Sequence, residues 1–204
     1  MSHERLQALT DGIFAIVMTL LVLELKVPVL DTVNNQSLWH AHSDNAAIFI
    51  SYLISFMLLF VLWRGHNFLV STMAKNLNAN LVNLNMFFLL LVGLVPFTTH
   101  LIGSYPRTQL AIIIYALNII LLSSTLFLTR QYIERSESIE HDPRTREQRI
   151  NAYIRMSSII VCATLAIPLC FINPWLGFGI ILLAIGFNLL NNAADIFRKV
   201  FKIA

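Results

Sequence analysis

Apolar residues run all round the helical repeat in six segments of this chain, near residues 9–27, 46–63, 81–102, 109–128, 154–173 and 175–196. Each is close to the roughly 20 residues that cross about 30 Å of hydrocarbon at about 1.5 Å per residue. Helices buried in a soluble bundle would show an amphipathic stripe instead. The second run, Ala46 to Trp63, carries no charge. The pattern predicts an all-α membrane protein, with six transmembrane helices forming one domain over residues 1–204.

The segments between the runs are short, with two exceptions. A polar connection from Asp31 to Asp44 follows the first run, with Trp39 as an interfacial anchor. A charged stretch over residues 130–153 separates runs four and five. It reads as helical extensions of its neighbours around an Asp142-Pro143 turn, with a solvated face. Runs five and six meet at Asn173-Pro174-Trp175, which predicts an antiparallel helical pair. The fourth run is nearly featureless.

Composition sharpens the class. The 204 residues are 57% hydrophobic and 12% charged, against roughly 45–50% apolar and about 25% charged in soluble domains. With six spans, twelve of the fourteen Lys and Arg residues fall on one side, and Lys26 and Arg107 are the exceptions. Lys and Arg in short loops are retained in the cytoplasm, so both termini are expected there. The net charge of +3 is mostly this asymmetry and does not indicate nucleic-acid binding. No cleavable signal pattern is expected at the N-terminus. Cys162 and Cys170 lie eight residues apart on one span, too far to bridge each other, and read as packing residues. The His40-x-His42 pair suits a metal but lacks further ligands nearby, so it reads as solvated and no metal site is expected.

Polar residues within the runs gather toward one end. Asp11 opens span one, His66 closes span two, Asn83 and Asn85 lie early in span three, and Asn188, Asn191, Asn192 and Asp195 lie late in span six. A buried acid at the start of a span is costly unless paired. One shared hydrogen-bond network is therefore expected, with His66 and Arg5 neutralising Asp11.

On the first span Gly12, Ile16, Thr19 and Leu23 fall within a sector of roughly 40–60° at about 100° per residue. Several copies around one axis would present stacked rings of Ile, Thr and Leu, a narrow hydrophobic constriction with one belt of hydroxyls. Spacing alone leaves ordinary packing as the stronger reading, because helix geometry does not select the wetted face.

Arg5-x-x-x-Leu9-Thr10-Asp11-Gly12, followed by Phe14-Ala-Ile, Thr19-Leu-Leu and Glu24-x-Lys-Val-Pro28, resembles the signature of the transmembrane protein 175 family. That family comprises potassium-conducting channels of lysosomes and prokaryotic membranes, and its signature reads Arg-x-x-x-Phe-Ser-Asp. Leu9 and Thr10 depart from it. The similarity extends through Trp63, His66 and Leu94-Val-Pro-Phe-Thr98.

The resemblance implies a six-helix subunit without a re-entrant pore loop and with helix one lining the ion path. Nothing in the chain resembles a Thr-Val-Gly-Tyr-Gly filter. One six-helix repeat per chain implies a homotetramer in the bilayer. By similarity Ile16 is the constriction, Thr19 is linked to ion selectivity and Leu23 is a further pore residue. Arg5, Thr10 and Asp11 form the signature network, with His66 beside them. The expected function is passive potassium conduction in a prokaryotic cell membrane, with potassium as permeant ion and no cofactor. A secondary transporter of a cation or small solute is the alternative, although the mid-span regions hold no acid or base. An enzyme is not expected, for no nucleophile-base or metal motif accompanies His66 and Asp11.

Overall fold

A computed structural model describes residues 2–27, 29, 32–44, 46–140, 145–190 and 194, with only the backbone described for 40–44. Pro28, Asp31, the side chains of His40, His42 and Asp44, the Asp142-Pro143 turn, Arg144, Asn191, Asn192, Asp195 and the basic tail lie outside the described residues.

Helix α1, His3–Leu20, starts where the Ser2 hydroxyl accepts the Arg5 N–H at 3.4 Å. It tightens into a 3₁₀ turn at Leu21–Glu24. There follow α2 (Asn35–Asp44), α3 (Ala46–Asn67, continued by a π-helical Phe68–Met73), α4 (Ala79–Gly93), α5 (Val95–Ser104), α6 (Gln109–Arg135), α7 (Arg146–Ile172) and α8 (Pro174–Leu189). Among the described residues, five stretches are long and apolar enough to cross a membrane: His3–Glu24, Ala46–Met73, Ala79–Ser104, Gln109–Arg135 and Arg146–Ile172. The architecture is all-helical, built mostly from membrane-span-like helices.

Three expected elements take a different form. First, the polar connection after span one contains α2, which was not expected; the Asn34 side chain caps it by accepting the Ser37 N–H at 2.8 Å. Second, span three is broken. Pro96 brings no N–H and its ring disfavours a continuous helix, so α4 ends at Gly93 and α5 begins at Val95. The Leu91 carbonyl, which takes the Leu94 N–H at 3.2 Å in the last turn of α4, also accepts Asn118 Nδ2 from α6 at 3.2 Å, and Thr98 donates to Asn118 Oδ1 at 3.4 Å. The fourth span is thus far from featureless: it supplies a polar group that braces the break, and its Tyr115 meets Ser55 at 2.9 Å. Third, α8 closes at Leu189 with Leu190 extended at φ −76° and ψ 121°, inside the expected run, whose end at 196 lies outside the described residues. Arg155 takes the Leu190 carbonyl at 2.9 Å and the Asn188 carbonyl at 3.2 Å, satisfying orphan acceptors of the last turn.

The 130–153 stretch does extend both helices, with the Thr145 and Gln148 capping box opening α7. It is not simply a solvated face. Arg130 is 1% exposed and pairs with Glu134 at 2.8 Å, one turn along α6. Its guanidinium lies 5.2 Å from the Tyr153 ring centre, and the Tyr153 hydroxyl donates to Glu134 at 2.7 Å. The other carboxylate oxygen is held by Tyr153 and by Arg149 at 3.4 Å, so the acid is fixed beside the buried arginine as its counter-charge. Ile139 in the connecting turn is buried as well, and Asn76, before α4, donates to the Ser138 carbonyl at 2.8 Å.

Helix α6 sits at the centre, packed by α3, α4, α5, α7 and α8, while α7 and α8 form the expected antiparallel pair. Cys170 is buried and Cys162 half-buried, both as free thiols.

Candidate functional site

Helix α1 has two faces. Leu6, Thr10, Phe14, Val17 and Leu21, spaced three and four apart, are buried against the bundle. Phe14 packs on Phe88 of α4, with ring centres 5.9 Å apart. The opposite stripe, Leu9, Gly12, Ile16, Thr19 and Leu23, is uncovered by the rest of the chain, with Ile16 58% and Leu23 67% exposed. A Cβ built on Gly12 would meet nothing within 4 Å. The stripe is straight through Thr19. The 3₁₀ turn then advances about 120° per residue instead of about 100°, so Leu23 sits further round the axis than a continuous α-helix would put it.

The Thr19 hydroxyl lies 2.9 Å from the Ala15 carbonyl and 2.8 Å from the Ile16 carbonyl. Its hydrogen is committed to the helix backbone, which leaves the oxygen as an acceptor on the uncovered stripe.

Both ends of this helix are tied to the bundle. Near its start, Trp63 Nε1 of α3 donates to Asp11 Oδ1 at 2.8 Å, and Gln7 Nε2 donates to Asn67 Oδ1 at 3.2 Å. At its far end Glu24 Oε2 lies 2.6 Å from His100 Nδ1 of α5. Beneath the helix a buried relay runs between three elements. His66 Nε2 meets Asn85 Oδ1 at 2.6 Å, Asn85 Nδ2 donates to Thr10 Oγ1 at 3.3 Å, and Thr10 donates to the Leu6 carbonyl at 2.9 Å. Because the Asn85 amide nitrogen serves Thr10, its oxygen must accept, which assigns the proton to His66 Nε2. The imidazole also stacks on Phe88 at 5.1 Å, with 3° between the planes.

The expected single network is therefore two. Thr10, His66 and Asn85 meet under α1, whereas Asn188 belongs to a second cluster with Ser158, Arg64 and Arg155 at the ends of α3, α7 and α8. Asn83 is exposed and joins neither. Asp11 is hydrogen-bonded by Trp63, not by Arg5 or His66, and the Arg5 side chain is exposed. An indole N–H satisfies a half-buried carboxylate without burying a second long side chain. Trp63 as that donor and His100 as the partner of Glu24 were missed. The one-turn spacing of Trp63 and Asn67 was the available signal for the first; none pointed to the second. Among the described residues no group of three or more His, Cys, Asp or Glu is placed to hold a metal ion.

A potassium channel of Chamaesiphon minutus is 32% identical over 201 residues, covering 93% of this chain and 95% of its own. The chain belongs to the TMEM175 family. The family profile described as endosomal/lysosomal potassium channel TMEM175 matches residues 5–96, the part that carries α1, the relay and the start of α5. A protein from Streptomyces collinus, also named a potassium channel, is 29% identical over 192 residues, or 90% of this chain and 91% of that one. Among solved structures, a lysosomal potassium-selective channel TMEM175 homologue from Chamaesiphon minutus matches with a TM-score of 0.71 at 24% identity, covering 92% of this chain and 96% of that chain. That likeness shows a shared fold. The protein is thus a multi-pass membrane protein of the TMEM175 family.

Proposed function

We propose that this protein is a potassium-permeable cation channel and not an enzyme, conducting passively through a central pore lined by α1. The observation that carries the reading is the uncovered stripe of Gly12, Ile16, Thr19 and Leu23 on a helix tied at both ends, in a chain whose relatives are named potassium channels. Residues 1–204 form one six-helix subunit, with α8 as the sixth span and both termini cytoplasmic. Four subunits surround the axis. Such an assembly covers the apolar stripe that a lone subunit leaves open, and the even number of spans agrees with the basic residues lying at one end. The setting is the plasma membrane of a prokaryotic cell, and potassium is the permeant ion without any cofactor.

In that assembly Ile16 forms the constriction and closes the path by dewetting, while Leu23 forms a second apolar ring. Thr19 presents a belt of acceptor oxygens that compensates an ion for lost hydration, a task suited to an oxygen whose hydrogen is already committed. Thr10, Asp11 and His66 hold α1 against its neighbours in the subunit and set its rotation, and Arg5, exposed in the lone chain, completes this network across the subunit boundary. Opening is an outward shift or rotation of α1 that parts the Ile16 side chains.

The test is potassium flux into liposomes holding the purified protein, wild type beside Ile16→Asn, with sodium flux in parallel and native mass spectrometry of the same preparation. Passive flux that favours potassium and rises in the variant, from a complex of four chains, supports the reading. Absence of passive flux from correctly inserted protein rejects it, and saturable flux coupled to a counter-ion would mark a transporter.

A further inference from the structure

At the arginine-bearing end of the bundle, α3, α6, α7 and α8 line a cavity of about 500 Å³. That volume is within the range of small-molecule sites. None of its lining residues belongs to α1, so it stands apart from the uncovered stripe. Most of its wall is apolar, with Val61, Leu62, Phe68, Leu126, Met156 and Ile159.

The charged side chains at its rim are already engaged within the protein. Arg130 is paired with Glu134 at 2.8 Å and lies against the Tyr153 ring. Arg64 and Arg155 both donate to the Asn188 carbonyl, and Arg155 also donates to that of Leu190 at 2.9 Å. A ligand here need bring no charge, and a charged one would lose hydration against the apolar wall.

The Ser123 hydroxyl is not so provided. Ser123 is 2% exposed and lines the cavity, yet its oxygen has no hydrogen-bond partner among the described residues. Thr125 and Thr129 on the same helix each donate to the carbonyl four residues back, at 2.8 Å. Ser123 does not make that bond, and a buried hydroxyl without a partner is costly. It is thus a donor for an uncharged acceptor in the cavity.

Depth narrows the ligand further. Ser123 precedes Arg130 by seven residues on α6, which sets it about 10 Å deeper in the membrane. Val61 precedes Arg64 on α3, and Ile159 follows Arg155 on α7, so both apolar side chains lie on the deeper side as well. From rim to depth the cavity therefore offers polar groups, then one hydroxyl, then a hydrocarbon wall. A glycerol ester carries the matching series of hydroxyls, ester carbonyl and alkyl chain.

We propose that this cavity binds a neutral glycerolipid, its hydroxyls at the rim beside Gln148 and Asn188, its ester carbonyl accepting from Ser123, and its acyl chain along Val61, Leu62 and Ile159.

The test is native mass spectrometry of the full-length protein, delipidated in detergent and incubated with 1-monooleoylglycerol or with phosphatidylglycerol, with thermal unfolding of the same samples. Wild type should retain monooleoylglycerol in preference to phosphatidylglycerol and be stabilised by it. Ser123→Ala keeps the space and removes the donor. It should weaken retention roughly fivefold. Without lipid it should unfold no earlier than wild type, because the unmatched hydroxyl is gone. Ala152→Leu narrows the cavity from α7 with Ser123 in place, should abolish retention, and decides the matter if Ser123→Ala fails to fold. Preference for phosphatidylglycerol, unchanged retention of monooleoylglycerol in either folded variant, or no retention by wild type overturns the proposal.

Discussion

Trp63 donates its indole N–H to the Asp11 carboxylate at 2.8 Å, across the contact between α3 and α1. One turn away the same two helices meet again, where Gln7 donates to Asn67 at 3.2 Å. Positions 7 and 11 ascend α1 as 67 and 63 descend α3, so the two hydrogen bonds fix the register of an antiparallel pair. That register determines which side of α1 faces the bundle and which side is left uncovered.

Replacing Trp63 with Phe keeps the ring and removes the donor. The carboxylate then loses its hydrogen bond in a half-buried setting, at a cost of about 1–2 kcal/mol. Asp11→Asn keeps an acceptor oxygen and should cost less. Thermal unfolding in detergent of both single variants and the double variant gives a coupling energy. Additive losses would mean that the contact contributes nothing of its own.

Much of this fold is legible in the chain, because apolarity all round a helix reports depth in the membrane. The start of α6 at Gln109 falls where the fourth apolar run begins, and α7 opens at Arg146, inside the expected helical extension of the fifth. Depth along a helix carries no information about rotation around it. Hence Asn188, ranked at the level of Asp11, turns toward Arg64 and Arg155, and Asn83 turns outward while Asn85, two residues on, turns in. The break at Leu94 was signalled by Pro96, but a proline within a long apolar run is compatible with a kink as well as with an end. Burial of Arg130 depended on Glu134 and Tyr153 arriving together, one from the same helix and one from the next. The role of the uncovered stripe on α1 was readable only through the family signature, since Ile, Thr and Leu at helical spacing are equally packing residues.

On the channel reading, Thr19→Val removes the ring of acceptor oxygens and keeps the shape of the side chain. The potassium-to-sodium flux ratio should fall, by roughly threefold or more if hydroxyl coordination offsets about 0.7 kcal/mol of ion dehydration. Parallel flux measurements in liposomes check this. An unchanged ratio would assign selectivity to the apolar rings.

Asn118 offers a test of the broken third span. Its amide nitrogen serves the Leu91 carbonyl at 3.2 Å, beside the break between α4 and α5, as a second donor to an oxygen that also takes the Leu94 N–H. Asn118→Leu removes one of the two hydrogen bonds to that carbonyl and leaves it the Leu94 N–H, which costs about 0.5–1.5 kcal/mol. Unfolding should move to lower temperature, and amide exchange around residues 91–98 should quicken. If exchange quickens evenly across the molecule, Asn118 acts as general packing and not as the local brace.

Gly103 marks a close approach of α5 to α3. A Cβ there would lie 2.5 Å from Ser51 Oγ and 3.1 Å from the Cα of Ile48, and the second of these is backbone that cannot rotate away. Gly103→Ala should therefore cost about 1–3 kcal/mol by overpacking, despite the higher helix propensity of alanine. Ser51→Ala in the same background takes away the oxygen, whose own bond to the Ile48 carbonyl at 2.8 Å is local to α3. It should restore only part of the loss, because the contact with Ile48 remains. Thermal unfolding of the two variants separates these contributions: full rescue by Ser51→Ala would place the whole clash on the hydroxyl, and no loss in Gly103→Ala would mean that α5 can move away from α3 at little cost.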